Sequence, residues 1–240
     1  MGRGSATTKT RLEKKHPLAI RWLHWINFPA LLVMMWSGLL IYWASDVYRI
    51  GWGETTLFKF FPEKFYERTG VGSRLAEGMN WHFVFAWLFT LNGIAYALYV
   101  WLSGEWRYLL PRRDSLKEAF QVVLHDLRIR KEPLPRAKFN HAQRIAYTSA
   151  IGMGALMVVT GLAIYKPTQL PWLVTLLGGY QAARLEHFVI TWLLVAFFLV
   201  HVAQVAKAGW NNFRAMITGY EVVPVEKPVH SGGGGEGAVS

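Results

Sequence analysis

Four histidines, His24, His82, His187 and His201, lie within or at the ends of long apolar stretches that lack Asp, Glu, Lys and Arg. An imidazole in such a setting has two uses: it hydrogen-bonds to a neighbouring segment, or it binds a metal through a neutral ring nitrogen. The fourteen residues between His187 and His201 correspond to ~21 Å of helix and fall only ~40° short of four full turns. One helix can therefore present a ligand to each of two stacked sites. Two neutral imidazoles closing both axial positions of a haem leave no open site for oxygen, which suits electron transfer rather than oxygenation. The competing use, hydrogen bonding across helices, applies to any one histidine; four at matched depths make coincidence a weaker account.

The elements that must position these residues are read from composition. Of 240 residues, 52% are hydrophobic and 15% aromatic, more apolar side chain than a soluble domain of this size usually carries. Residues 22–44, 79–102, 145–165 and 188–206 are free of acids and bases, and each is close to the about 20 residues that cross a hydrocarbon core as a helix. A helix is required, because an unclosed strand in lipid leaves its backbone groups unpaired. The expected fold is an all-α integral membrane bundle of four transmembrane helices over about 22–44, 79–102, 145–165 and 185–208. A basic segment, 1–21, precedes it. A tail, 209–240, follows, disordered from about 224, where it runs into SGGGGEGAVS. No internal repeat is evident in the sequence.

The formal charge of +11 is explained by where the bases fall. Six Lys or Arg residues precede the first span, ten lie between the second and third, and Lys207, Arg214 and Lys227 follow the fourth, whereas the other two loops share seven. The positive-inside rule places both termini and the middle loop in the cytoplasm. The first apolar block is too long for a signal-peptide core, so it is expected to remain as a span. The absence of cysteine rules out disulfides, Cys-ligated iron–sulfur clusters and thioether-linked haem in this chain. The aromatic outer loop, 45–78, either anchors at the interface or docks a partner, and a short amphipathic helix is expected around Ser115 to Ile129.

With that orientation, His82 and His187 sit near the outer face and His24 and His201 near the inner one. Gly38, fourteen residues after His24, and Gly93, eleven after His82, each fall at the level of the other site, where a missing side chain makes room for a macrocycle or for helix contact. Arg21, Arg144 and Lys207 could pair with propionates of the inner haem, and Arg74 and Arg184 with those of the outer one. His141, just before the third helix, could take part in quinone protonation. Zinc or copper transport generally adds carboxylate or sulfur ligands, and no acid lies within the uncharged blocks, Glu186 sitting only at an outer helix end.

The segments RWLHWIN, SGLLIY, WHFVFAWLFTLNG, KFNHAQRIAY, VVTGLAIY, GGYQAARLEHF and FRAMITGYEV resemble the four-helix di-haem b-type cytochrome subunits of bacterial respiratory oxidoreductases. Those of formate dehydrogenase and nickel–iron hydrogenase belong to that group, and the thiosulfate reductase cytochrome b-like branch is the nearer likeness, from about His16 to Val222. The resemblance implies two haem b groups ligated by His24, His82, His187 and His201. It implies a periplasmic catalytic oxidoreductase subunit as partner, molybdopterin-dependent and acting on sulfur or related oxyanions, and exchange with quinone, menaquinone or ubiquinone. The chain itself would be a non-catalytic electron-transfer subunit, with quinone chemistry near the inner haem. The cytochrome subunit of an uptake hydrogenase, and a haem-free anchor or metal-ion carrier, are the alternatives.

Overall fold

The computed structural model describes residues 10–44, 49–52, 55–111 and 141–225. The elements in chain order are β1 (Thr10–Lys14), α1 (Leu18–Ala44), β2 (Arg49–Trp52), β3 (Thr55–Lys59), α2 (Glu63–Thr69), α3 (Leu75–Leu102), α4 (Trp106–Leu109), α5 (His141–Tyr165), α6 (Pro171–Leu176), α7 (Tyr180–Ala208), α8 (Trp210–Thr218) and β4 (Tyr220–Pro224). Four of them, α1, α3, α5 and α7, are long and apolar enough to cross a membrane. The protein is a multi-pass, all-α membrane bundle. Helices α1, α3 and α5 begin four residues before the uncharged blocks read from sequence and α7 begins eight before, because a helix continues through charged residues such as Glu77 and Arg184 at its interfacial end, where a long polar side chain can reach water.

The bundle, Trp22–Val202, is one of two compact units. Many of its buried positions are small or polar, among them Ala30, Ser37, Asn92, Thr160, Ala163 and Ala183, while Trp87, Leu98, Trp101 and Leu199 face outward. That inversion of the water-soluble pattern is expected where lipid is as apolar as leucine and close helix approach supplies the stability. Among the described glycines the tightest approach is at Gly78 of α3, where an added Cβ would lie 2.8 Å from Leu40 Cβ, 3.0 Å from the Ser37 carbonyl oxygen and 3.1 Å from the Ile41 nitrogen of α1. In α5 and α7 the matching contact joins Ala163 and Ala183 in one buried cluster with Leu173 of α6.

These two crossings correspond because the chain contains an internal repeat that inspection of the sequence did not reveal. Arg21, Met34, Gly38, Leu39, Ile41 and Tyr42 of α1 recur as Arg144, Met157, Gly161, Leu162, Ile164 and Tyr165 of α5, with Ser37 answered by Thr160. His82, Phe83, Val84, Trp87 and Leu88 of α3 recur as His187, Phe188, Val189, Trp192 and Leu193 of α7. The contacts repeat too: Tyr42 packs on Phe188 with ring centroids 4.8 Å apart, and Tyr165 on Phe83 at 4.6 Å. The hairpin α1–α3 and the hairpin α5–α7 are thus related by a pseudo-twofold of the parallel kind, its axis along the bundle. Unequal connections hid the period, since Ser37 and His82 are 45 residues apart but Thr160 and His187 only 27.

The longer connection holds the antiparallel pair β2–β3 with a bulge at Ile50/Gly51, then α2, stopped by Gly70 in the left-handed conformation (φ 63°). Its aromatic residues cover the helix ends: Phe61 and Phe65 pack on Trp43 at 5.3 and 5.2 Å, and Phe60 on Phe188 at 5.3 Å. The helix expected around Ser115 to Ile129 lies outside the described residues.

Both ends of the chain build the second unit. Trp210–Thr218 is helical, and Tyr220–Pro224 pairs antiparallel with Thr10–Lys14. Lys15 reaches Glu221 at 2.9 Å and Asn212 at 2.9 Å, Arg21 donates to the Ile217 carbonyl, and Gly219 turns the chain at φ 90°. Pairing across some two hundred residues leaves no local signature, so the sequence read as two separate ends.

Replacing Gly78 by Ala should destabilise the bundle by about 1–3 kcal/mol, since backbone atoms rather than flexible side chains must move. Gly152→Ala, with nothing within 4 Å of the added carbon, should be near neutral; thermal unfolding in detergent compares the two.

Candidate functional site

The pseudo-twofold brings the histidines of the two hairpins together at two levels. His82, in the second turn of α3, faces His187 of α7, their ring centroids 6.3 Å apart and planes inclined at 68°. His24 of α1 faces His201 of α7 at 6.1 Å and 65°. Phe197 stacks on His201 at 6.0 Å, and Trp25 presents an edge contact to His24 at 5.4 Å.

The local sequence orients the His82–His187 pair. Ser37 Oγ lies 2.6 Å from the Val33 carbonyl and 3.1 Å from His82 Nδ1; Thr160 Oγ1 lies 2.7 Å from the Leu156 carbonyl and 2.8 Å from His187 Nδ1. A carbonyl only accepts, so the one hydroxyl proton goes to it, and the hydroxyl oxygen accepts from the ring Nδ1–H. Both imidazoles are thereby held neutral with the Nε2 lone pair available, the arrangement that an outer partner imposes on a metal-binding histidine. The glycine following each hydroxyl lets the ring lie against the helix: a Cβ at Gly38 or Gly161 would stand 3.4 Å from Cε1 of His82 or His187.

The spacing of the rings selects between the two uses of imidazole. A direct N–H···N bond between facing rings puts their centroids roughly 5 Å apart, whereas two rings on opposite sides of a first-row metal, each nitrogen at about 2 Å, stand roughly 6 Å apart. Both observed separations match the second value. Among the described residues no group of three or more His, Asp or Glu side chains gathers, so each pair offers two nitrogens where a bare zinc ion would take four ligands. A macrocycle that supplies the other four donors of an octahedral metal fits this donor set.

The other residues singled out from sequence are distributed as follows. Gly38 stands at His82, the level expected for it. Gly93 has open space around it. Arg144 is buried, and its guanidinium donates to the carbonyls of Leu110 at 3.0 Å and Arg107 at 2.8 Å, holding the end of α4 together with Thr148, which donates to Leu109. Arg74 forms a two-pronged pair with Glu77, both contacts 2.7 Å, and lies over Trp36; that carboxylate pushes the Arg74 guanidinium further toward its charged form. Arg184 is one turn before His187 and extends over Tyr180. Arg21 belongs to the terminal unit, Lys207 is in the last turn of α7, and His141 opens α5, its side chain outside the described residues.

Sequence reading missed Ser37, Thr160, Gly161 and Asn92. Asn92 donates from α3 to the Leu23 carbonyl of α1 at 3.0 Å and so ties the two helices beside His24. The visible signal for the first three was the recurring hydroxyl–glycine dipeptide, SGLLIY and TGLAIY.

The family model described as prokaryotic cytochrome b561 matches residues 15–219. The chain is 34% identical over 206 residues, 85% of its own length and 96% of the relative's, to a protein of Azospira oryzae named as a putative protein-methionine-sulfoxide reductase subunit, YedZ1.

Removing the two hydroxyls, Ser37→Ala with Thr160→Val, takes the acceptor from both Nδ1 atoms and should weaken haem retention at that level by about 10–100-fold. Titration of the purified apoprotein with hemin measures it; retention equal to that of the unsubstituted chain would deny the hydroxyls this role.

Proposed function

The chain belongs to the prokaryotic cytochrome b561 family, as a membrane haem-b electron-transfer subunit linked to an oxidoreductase, and from that premise we propose that it carries two b-type haems, one held by His82 and His187 and the other by His24 and His201. The supporting observation is the equal spacing of the two ring pairs, 6.3 and 6.1 Å. Haem held by these residues would supply reversible one-electron chemistry. The residues of the chain fix the tautomer of His82 and His187 through Ser37 and Thr160, leave space for the macrocycle at Gly38 and Gly161, and close the site to water with Tyr42, Phe188, Phe83 and Tyr165. Arg184, a turn from His187 and not in an ion pair among those of the described residues, is the cation assigned to a propionate at that level.

The excess of Lys and Arg before α1 and between α3 and α5 supports an orientation in the bacterial inner membrane with both termini cytoplasmic and the His82–His187 pair near the periplasm. The electron partner on that side is a periplasmic catalytic subunit. The relative's name, a subunit of a protein-methionine-sulfoxide reductase, supports a partner that reduces an oxidised sulfur centre, in keeping with a molybdopterin enzyme. Electrons then enter at the His24–His201 level from the quinol pool. Arg144 and His141 sit at that end of α5.

A reduced-minus-oxidised spectrum with pyridine haemochrome quantification should give two low-spin b haems per chain, falling to one in His82→Ala and to one in His201→Ala. A folded, haem-supplied preparation without pigment would overturn the assignment.

A further inference from the structure

Helix α8 lies outside the four spans and is strongly amphipathic, with its two faces engaged differently. One face is committed within the terminal unit. Asn211 donates to the Val222 carbonyl and accepts from the Val222 amide, each at 3.0 Å, so its carboxamide pairs with β4 as a peptide group does. Asn212 accepts from Lys15 at 2.9 Å, and Ala215 on the same side is fully buried. The other face presents Trp210, 72% exposed, and Ile217, 49% exposed; seven residues apart, they lie nearly in line along the helix. Phe213 stands between them, its ring centroid 5.5 Å from that of Trp210. A bare aromatic and aliphatic stripe of this kind, bordered by polar residues, is the form of a docking surface.

Chain continuity and charge identify what covers it. The span α7 ends at Ala208, and Gly209, at φ 83°, redirects the chain so that α8 starts as a separate helix. Lys207, in the last turn of α7, marks the level at which the apolar span meets water. Three residues carry the chain from Lys207 to Trp210, so α8 starts within about 10 Å of that level even if they were fully extended. A surface helix buries its apolar face about 5–10 Å into the boundary between head groups and acyl chains, and Trp210 is within reach of it. The described part of the terminal unit, 10–21 and 203–225, holds six Lys or Arg residues and two acids. Both acids are paired, Glu13 with Arg11 and Glu221 with Lys15. Arg214 borders the apolar stripe, four residues after Trp210 and three before Ile217. Its Nε is buried without a hydrogen-bond partner, and among the described residues no carboxylate pairs with it. A cation beside an apolar stripe is the complement of an anionic lipid.

We propose that α8 is a membrane-surface helix: Trp210, Phe213 and Ile217 enter the acyl boundary of the leaflet at which α7 ends, and Arg214 binds the phosphate of an anionic lipid. Asn211 and Asn212 carry this attachment to β4 and Lys15, and so to the ribbon β1–β4, which ends three residues before α1 begins. Both ends of the chain are thereby moored to the bilayer surface. The proposal needs only the membrane bundle and is independent of the haem assignment.

The chain has no cysteine, so a single introduced thiol reports on one place. The full chain carrying Trp210→Cys, Ile217→Cys or Glu13→Cys is placed, one copy per disc, in nanodiscs of phosphatidylcholine and phosphatidylglycerol. Glu13, on the ribbon with a 58% exposed side chain, is the reference. A water-soluble maleimide should alkylate the first two variants about tenfold more slowly than the third, as expected of side chains below the head groups. A diazirine-bearing phosphatidylglycerol should crosslink to the stretch 210–217, mapped by mass spectrometry. Arg214→Gln should lower that label by about fivefold, the worth of one base at an anionic surface. Two thiol positions keep the test open should one variant fall short of the thermal unfolding of the parent. Equal alkylation at all three positions means that water covers the face, and slow alkylation without lipid label means that protein does. Label unchanged by Arg214→Gln, or obtained equally from a diazirine-bearing phosphatidylcholine, removes the anionic head group. Each of these outcomes overturns the proposal.

Discussion

An imidazole inside a hydrocarbon layer needs a partner for each nitrogen, because lipid offers none and each unmet polar group costs several kcal/mol. Much of the bundle can be derived from how that need is met for His82 and His187. The Nδ1 side is satisfied by a hydroxyl one helix away, which must itself be spent on its own helix, at the carbonyl four residues back. The hydroxyl must approach closely, so a glycine follows it and the ring lies where a side chain would have been. Close approach in turn requires the small pairs beyond, Leu40 on Gly78 and Ala163 on Ala183. What remains is the Nε2 side, and there the two rings are left facing each other at a separation that one metal spans.

The arginines show how charge is rationed at the borders of such a bundle. Positive residues near helix ends serve orientation and can also serve a cofactor's carboxylates. Arg144 is committed to the carbonyls that end α4 and Arg74 to Glu77, so position near a site does not by itself make a cation available to it. The terminal unit does the same with Lys15, Arg21 and Glu221, which knit β1, α8 and β4 together.

How much of this was legible in the sequence depends on the range over which each feature is encoded. The four spans are written in composition, because lipid admits so few residue types over twenty positions. The pairing of His24 with His201 and of His82 with His187 follows from depth and angle along regular helices, quantities that sequence numbering measures directly. The roles of Ser37 and Thr160 were not legible, since a serine or threonine in a membrane helix usually bonds only to its own backbone. The repeat was concealed by its unequal connections, and the strand pairing of Thr10–Lys14 with Tyr220–Pro224 by its separation. Arg144 was legible as a cation but not as a structural one, for its acceptors follow a turn of the chain at Gly104 (φ 73°).

A position on a twofold axis meets its own copy. In a hairpin that pairs with an identical partner, a single histidine at the place of His82 therefore completes a two-nitrogen site, whereas a site away from the axis needs two separate positions and is then present twice. Joining the two hairpins in one chain removes the obligation of identity. His82 and His187 keep the arrangement that a twofold imposes, while the off-axis positions are released to diverge, His24 and His201 in one half answering to Tyr147 and Tyr96 in the other. A single chain thus permits a symmetric scaffold to carry one ring pair at its axis and another on one side only.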